Sequence, residues 1–275
     1  MRFRLRSFGM RMFYIYLISM SASLVLMGIY FYWKAAGMIE SNAGKIAMQT
    51  VQQAGKRIEL VLEEYENRSL VVSGYEDLQK GILGHFADLY DRIVTNNHIS
   101  EFLGNMMNSK NDMISLYIYG IGTNSYKYAD GNTSMPYVSP AIRQEKWFRK
   151  IVQANGRPVW FGIEPPRRNG ERPVFRYGRA IKEMNNLHRI IGVMVVELYA
   201  TAVQDILAQV DFGQNGMLVL VDHDNRVVGS LQNAMIRKPL GLTLPEDEGI
   251  QTAEWEDQNM IVVNKKLNKD RKSVV

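Results

Sequence analysis

Residues 113–119 read Met113-Ile114-Ser115-Leu116-Tyr117-Ile118-Tyr119. Ile114, Leu116 and Ile118 fall on one side of a two-residue period, and Ser115, Tyr117 and Tyr119 on the other. That alternation marks a half-buried strand. Upstream of Asp112 the apolar residues recur every three or four positions, as on helices. The chain therefore turns from helix to sheet at this point, and its class is α+β.

Downstream, Gly120 and Gly122 end the first strand, Ser125–Ala129 reads as a second, and Asp130-Gly131 as a turn. Arg143–Ala154 reads as a short helix closed by Asn155-Gly156. Pro158–Phe161 is a short strand, and Pro165–Pro173 a polar loop. Val174–Lys182 and Ile190–Leu198 are strands joined by a turn around Asn185-Asn186. Ala200–Val210 is a helix. Met217–Asp222, Arg226–Gly229 and Met260–Lys265 read as strands of a smaller second sheet, with Asp224-Asn225 as the turn between the first two.

Upstream, residues 39–65 place Ile39, Ala43, Ile46, Thr50, Ala54, Ile58, Val61 and Tyr65 at steps of three and four, among mostly polar neighbours. Such a helix either packs on its own domain or forms a dimer stalk. A second helical stretch runs from about Glu76 to Met107, with a break expected near Thr95-Asn96-Asn97. Farther upstream, Phe13–Trp33 holds no charged side chain. Its 21 residues make ~31 Å of helix at ~1.5 Å each, against a bilayer core of ~30 Å. Aromatic rings crowd both ends, where the headgroup layer suits them. A cleaved signal peptide has a shorter apolar core and small residues at its cleavage site, whereas Trp33-Lys34-Ala35-Ala36 offers a lysine. The run reads as an uncleaved anchor. Arg2, Arg4, Arg6 and Arg11 before it place the N-terminus in the cytoplasm and the main domain outside.

Five of the 33 basic residues lie within residues 1–34, with no acid among them, so the rest of the chain carries 28 basic and 28 acidic side chains. The excess charge is a terminal arm, which argues against a nucleic-acid partner. The absence of cysteine excludes disulfides and thiolate chemistry. There is no phosphate loop, no HExxH and no G-x-S-x-G. The four histidines, His85, His98, His188 and His223, are scattered, so no metal and no cofactor is expected. Asp222-His223-Asp224 reads as a turn between strands. Asn67-Arg68-Ser69 and Asn132-Thr133-Ser134 match the glycosylation pattern, a common chance match.

What remains suits binding. Tyr117 and Tyr119 leave the polar side of the first strand. Tyr126, Tyr128 and Asp130 lie on the next, Trp147 and Phe148 on the helix, Trp160 on a short strand, and Arg176, Tyr177 and Arg179 on another. Glu197 closes the apolar run Ile190-Ile191-Gly192-Val193-Met194-Val195-Val196. A buried carboxylate needs a partner: a salt bridge to Arg179 or another strand residue, or a ligand ammonium or hydroxyl.

The segments Lys146–Ile151, Asn155–Trp160, Ala180–Lys182, Ile191–Glu197 and Gly216–Asp222 resemble the double Cache (dCache) sensor domain, over roughly residues 35–265. The resemblance implies a transmembrane helix, a long stalk helix and two PAS-like antiparallel-sheet subdomains, as in membrane sensor histidine kinases of Gram-positive bacteria. It implies a small extracellular solute bound in the membrane-distal subdomain. Members that take amino acids use an arginine and a tryptophan close in sequence, a tyrosine, and an aspartate on the last distal strand. Trp147 and Tyr177 fill two of those places, and Glu197 stands where the aspartate would be. Arg143 lies four residues before Trp147 rather than two, which leaves sugars and organic acids open beside amino acids. The implied ligand set is Tyr117, Tyr119, Tyr128, Arg143, Trp147, Trp160, Tyr177, Arg179 and Glu197, with no catalytic residue.

The expected organisation is a basic arm (1–12), a membrane helix (13–33), a helical stalk (34–110), a distal subdomain (111–212), a proximal subdomain (213–267) and a tail (268–275). With no second apolar span and no kinase, the chain reads as the sensory piece of a receptor. Its expected partners are a small solute, the lipid bilayer and a second copy through the stalk. The rival readings are an anchored structural or partner-binding ectodomain and an envelope enzyme.

Overall fold

The computed structural model describes residues 8–108, 112–122, 124–129, 131–164, 172–210, 212, 216–222, 224–244, 248–255, 258–267 and 273–274. The expected anchor and stalk are one helix, α1 (Phe8–Ser73), of 66 residues. Its first part is long and apolar enough to cross a membrane and is exposed among the described residues. Farther along, Val51, Ala54, Ile58, Leu62, Tyr65 and Val72 are buried at steps of three, four and seven. That stripe shares Ala54, Ile58 and Tyr65 with the one expected from the sequence, and it packs on the chain's own domain. Ile39 and Ile46 stay exposed.

Two shorter helices follow, α2 (Glu76–Leu83) and α3 (Leu89–Asn108). The break between them lies at Gly84, whose φ of 72° is left-handed and easy only for glycine. It does not lie at Asn96-Asn97, which continue inside α3. Asparagine is a poor helix former, but Thr95 and Ile99 bury one face of this turn against the core, and burial outweighs propensity.

A six-stranded antiparallel sheet is then built from β1 (Met113–Gly120), β2 (Tyr126–Ala129), β3 (Asn132–Ser134), β4 (Val159–Glu164), β5 (Val174–Glu183) and β6 (Asn186–Tyr199). Its order is β3-β2-β1-β6-β5-β4, so the two strands rich in valine and isoleucine lie at its centre. Between β3 and β4 the chain makes a short 3-10 turn (Pro140–Gln144) and the helix α4 (Lys146–Gln153). Glu145 is extended and separates them, so Arg143 precedes the helix instead of riding on it. Helix α5 (Thr201–Ala208) leads to the second sheet.

That sheet holds β7 (Leu220–Val221), β8 (Val227–Gly229), β9 (Gly249–Trp255), β10 (Gln258–Lys266) and β11 (Ser273–Val274), in the order β8-β7-β11-β10-β9. β9 was not foreseen. Residues 273–274, expected to belong to a tail, pair with both β7 and β10. The turn reading at Asp222 holds among the described residues: its carboxylate accepts from the amides of Asp224 at 3.0 Å and Arg226 at 2.9 Å. His223, Asp130 and most of the 165–173 loop lie outside the described residues.

The main core lies between the α1–α3 layer and one face of the six-stranded sheet. A smaller core lies on the opposite face, under α4.

Candidate ligand-binding face

Strand register decides which side chains share a face, because cross-strand partners project to the same side. Glu197 on β6 pairs with Ser115 on β1 and with Arg176 on β5. Val195 pairs with Tyr117 and Gly178, and Val193 with Tyr119 and Ala180. Tyr117 also pairs with Lys127 on β2. This outer face therefore carries Ser115, Tyr117, Tyr119, Lys127, Arg176 and Glu197.

Helix α4 covers part of that face. Phe148 and Ile151 are buried against Val159, Ala180, Val193 and Val195. Gly178 permits the close approach, since a Cβ there would lie 2.3 Å from Ile151 Cδ1. The docked helix brings Trp147 over the strands. Tyr117 and Tyr119 stack in parallel at 5.9 Å, and Trp147 follows Tyr119 at 5.6 Å and 56°. The result is a half-buried aromatic wall. Lys127 Nζ lies 5.1 Å from the Tyr117 ring centre, a cation–π contact. Arg143 donates from Nη2 to the Ile121 carbonyl at 2.6 Å, which ties the turn before α4 to the end of β1.

At the other end of the face lies a charged cluster. Ser115 Oγ donates to Glu197 Oε2 at 2.7 Å, and Arg176 Nε donates to Glu197 Oε1 at 2.7 Å. Arg176 Nη1 donates to Glu164 Oε1 at 2.9 Å. One guanidinium thus serves two carboxylates. Arg237 reaches Glu164 at 3.4 Å, but its side chain is 66% exposed and water screens it. The strand partner foreseen for Glu197 exists, and it is Arg176 and not Arg179. Each Glu197 oxygen receives one of these two bonds, whereas a carboxylate can accept about four, so acceptor capacity remains toward the aromatic wall. Burial, then the neighbouring Tyr117 and the Glu197 charge, push the Tyr119 hydroxyl up to about 12. It is a neutral donor at physiological pH.

The structure splits the expected set. Tyr117, Tyr119, Trp147 and Glu197 share the outer face, with Arg143 at its margin. Tyr128, Trp160, Tyr177 and Arg179 point the opposite way, into the main core. Trp160 stacks on Phe175 at 5.0 Å and donates its indole N–H to Glu66 Oε1 on α1 at 2.9 Å. Arg179 is 7% exposed, and its guanidinium donates to the carbonyls of Gly156 at 3.0 Å and Glu66 at 3.4 Å. Tyr128 donates to Asn108 Oδ1 of α3 at 3.3 Å, and its neighbour Tyr126 to Asn96 Oδ1 at 3.1 Å. Tyr177 is 1% exposed, and burial pushes its hydroxyl well up. These side chains fasten the sheet to the helices. The cause is parity: on β5 the even residues face out and the odd residues face the core. Lys127 and Glu164 were missed as members of the outer face; Ser115 was placed beside Tyr117 and Tyr119 but left out of the ligand set, and Arg176 was seen but not placed there. A parity count from Glu197 through a β5–β6 hairpin would have preferred Arg176 to Arg179.

The family model described as Cache domain matches residues 35–274. The chain belongs to the Cache domain family. No curated protein matches it. Among solved structures, this Cache chain is similar to the sensory domain of the Campylobacter jejuni chemoreceptor Tlp3 with isoleucine bound. The two are 13% identical with a TM-score of 0.61, and the match covers 87% of this chain and 94% of that one. It is also similar to the ligand-binding domain of the Pseudomonas aeruginosa amino-acid chemoreceptor PctC in complex with GABA, at 14% identity and a TM-score of 0.59, covering 86% and 97%. The extracellular domain of vpHK1S-Z8, assigned as a histidine kinase, matches at 10% identity and a TM-score of 0.60, covering 85% and 93%. At such identities the shared property is the fold: two antiparallel sheets strung along one long helix.

Proposed function

We propose that this Cache chain is the extracytoplasmic input region of a bacterial membrane receptor, and that the outer face of its six-stranded sheet binds a small solute carrying an ammonium group. The observation that carries the reading is Glu197, a carboxylate with spare acceptor capacity at the end of an aromatic wall. Glu164 and Glu197 share the half-buried Arg176 guanidinium, and the charge of Glu197 favours a cation beside it. Aromatic faces attract an ammonium as well. Lys127 and Arg143, at the margins, suit a carboxylate at the other end of an amino acid. The ligands of Tlp3 and PctC, isoleucine and GABA, are of this chemical class and support the choice.

In this reading α1 spans the bilayer, with its N-terminus cytoplasmic and the sheets outside, and the receptor is a homodimer. The chain binds and does not catalyse. The test is calorimetric titration of the full chain in nanodiscs with amino acids, amines, sugars and dicarboxylates. Saturable binding by amine-bearing solutes, lost in Glu197→Gln, is the expected result. Binding confined to sugars or dicarboxylates overturns the amino-acid assignment, and silence across the panel favours a partner-binding ectodomain.

A further inference from the structure

A cavity lies beside the other sheet, apart from Glu197. Its volume is 650 Å³, within the range of cavities that hold drug-sized organic ligands. One wall is the base of α1, at Ala43, Ile46 and Ala47. The facing wall is the β9–β10 hairpin, at Trp255, Met260 and Val262. The Trp255 indole N–H donates to the Leu240 carbonyl at 3.2 Å, so its one polar atom is already satisfied. Apart from Gln258 and Asn259 at the hairpin end, the lining is apolar and calls for an apolar guest.

Packing sets the height of this cavity above the bilayer. A Cβ on Gly44 would lie 3.1 Å from Ile250 and 3.7 Å from Ile261, and one on Gly55 would lie 2.9 Å from Lys265. From Ile261 to Lys265 the strand advances ~13 Å, while from Gly44 to Gly55 the helix advances ~16 Å. The two therefore run side by side in the same direction. Extending β10 back ~10 Å to Gln258 brings the hairpin end level with about residue 37 of α1. That is only ~6 Å beyond Trp33, the end of the apolar span. The cavity therefore opens close to the bilayer surface.

A second observation links the two. At 100° per residue, Tyr32, Ala35, Ala36, Ile39, Ala43 and Ile46 lie along one side of α1. The strip holds no charge, and Tyr32, Ile39 and Ile46 are exposed at 73%, 69% and 63%. It is an apolar track from the membrane span to the cavity wall. We infer that the proximal cavity takes one acyl chain of a single-chain membrane amphiphile, drawn from the outer leaflet along this track.

The inference rests on the membrane reading of α1, and the experiment separates the two. The full chain is placed in phosphatidylcholine nanodiscs containing a diazirine fatty acid of palmitoyl length, irradiated, and its labelled peptides are mapped. Label is expected in residues 13–33, from the span, and also in peptides holding 43–47 and 255–263. Ile46→Glu puts a charge at the exposed mouth and should lower the second set about tenfold while leaving the first. Ala43→Trp, which fills the space without charge, should do the same. Label confined to 13–33 overturns the inference and leaves the span standing. So does cavity label indifferent to both variants, or a cross-link from residue 46 of one copy to residue 255 of another in place of lipid. Absence of label from 13–33 overturns both readings.

Discussion

The two faces of the six-stranded sheet are furnished with the same kinds of side chain and do different work. The inner face carries Trp160, Tyr177 and Arg179, and the outer face Trp147, Tyr119 and Arg176. Inside, each polar atom on Trp160 or Arg179 that makes a bond spends it on the chain itself, on Glu66 or Gly156. Outside, the rings pack on one another with Lys127 over Tyr117, and the acid keeps room for a further donor. An aromatic residue with an arginine nearby is therefore no sign of a site until strand parity shows which side it is on.

The sharpest way to break this comparison is Tyr177→Ala. Truncating a fully buried ring should cost ~3–5 kcal/mol of stability, because the helices and sheet cannot collapse onto the void. The affinity of the molecules that remain folded should be unchanged. Thermal unfolding with and without ligand measures both. A loss of affinity without a loss of stability would move Tyr177 to the binding side.

Glu197→Gln should do the reverse. It removes the charged acceptor and should weaken amine binding by ~1.5–3 kcal/mol, or ~10- to 150-fold. The ligand-free melting temperature should change little, since Arg176 keeps Glu164. An unchanged dissociation constant with a falling melting temperature would make Glu197 a structural partner only. Trp147→Ala should weaken binding less, by the ~0.5–1.5 kcal/mol of a lost aromatic contact. Both constants come from the same titration series.

Much of this fold was legible in the sequence. The alternation at 113–119, the valine-rich run 190–196 and the apolar stretch 13–33 each carry a period or a length that only one element satisfies. The break in the second helix was misplaced because Asn96-Asn97 is the stronger local signal, while the decisive residue is one glycine at position 84. β9 was missed because Gly249–Trp255 mixes small and polar residues and becomes a strand by pairing with β10. The site was half legible. Trp160 precedes a bulge on β4 that shifts the register by one, so counting along the strand misreads its face. Arg176 and Arg179 differ only in parity, which becomes meaningful once the register with β6 is known.

The smallest expected effect sharpens the comparison through pH. Tyr119 on the outer face and Tyr126 on the inner face both have hydroxyls pushed up to about 12 by burial. Unfolded tyrosine ionises near ~10. Between those values the folded chain holds protons that the unfolded chain releases. The stability they contribute is thus whole below ~10 and lost as pH rises toward about 12. Ultraviolet titration of Tyr119→Phe and Tyr126→Phe identifies each transition. Ligand should delay that of Tyr119 and leave Tyr126 alone.

Helix α1 contains no proline from residue 8 to residue 73. The proximal sheet meets it closely at Gly44 and Gly55, and the distal sheet at Glu66. In mechanical terms it is a shaft held in two bearings. Such a shaft cannot tilt, and without a kink it does not fold at a hinge. The motions left to it are sliding along its length and turning about its axis. Whatever displaces the distal bearing reaches the other end of the rod as thrust or torque.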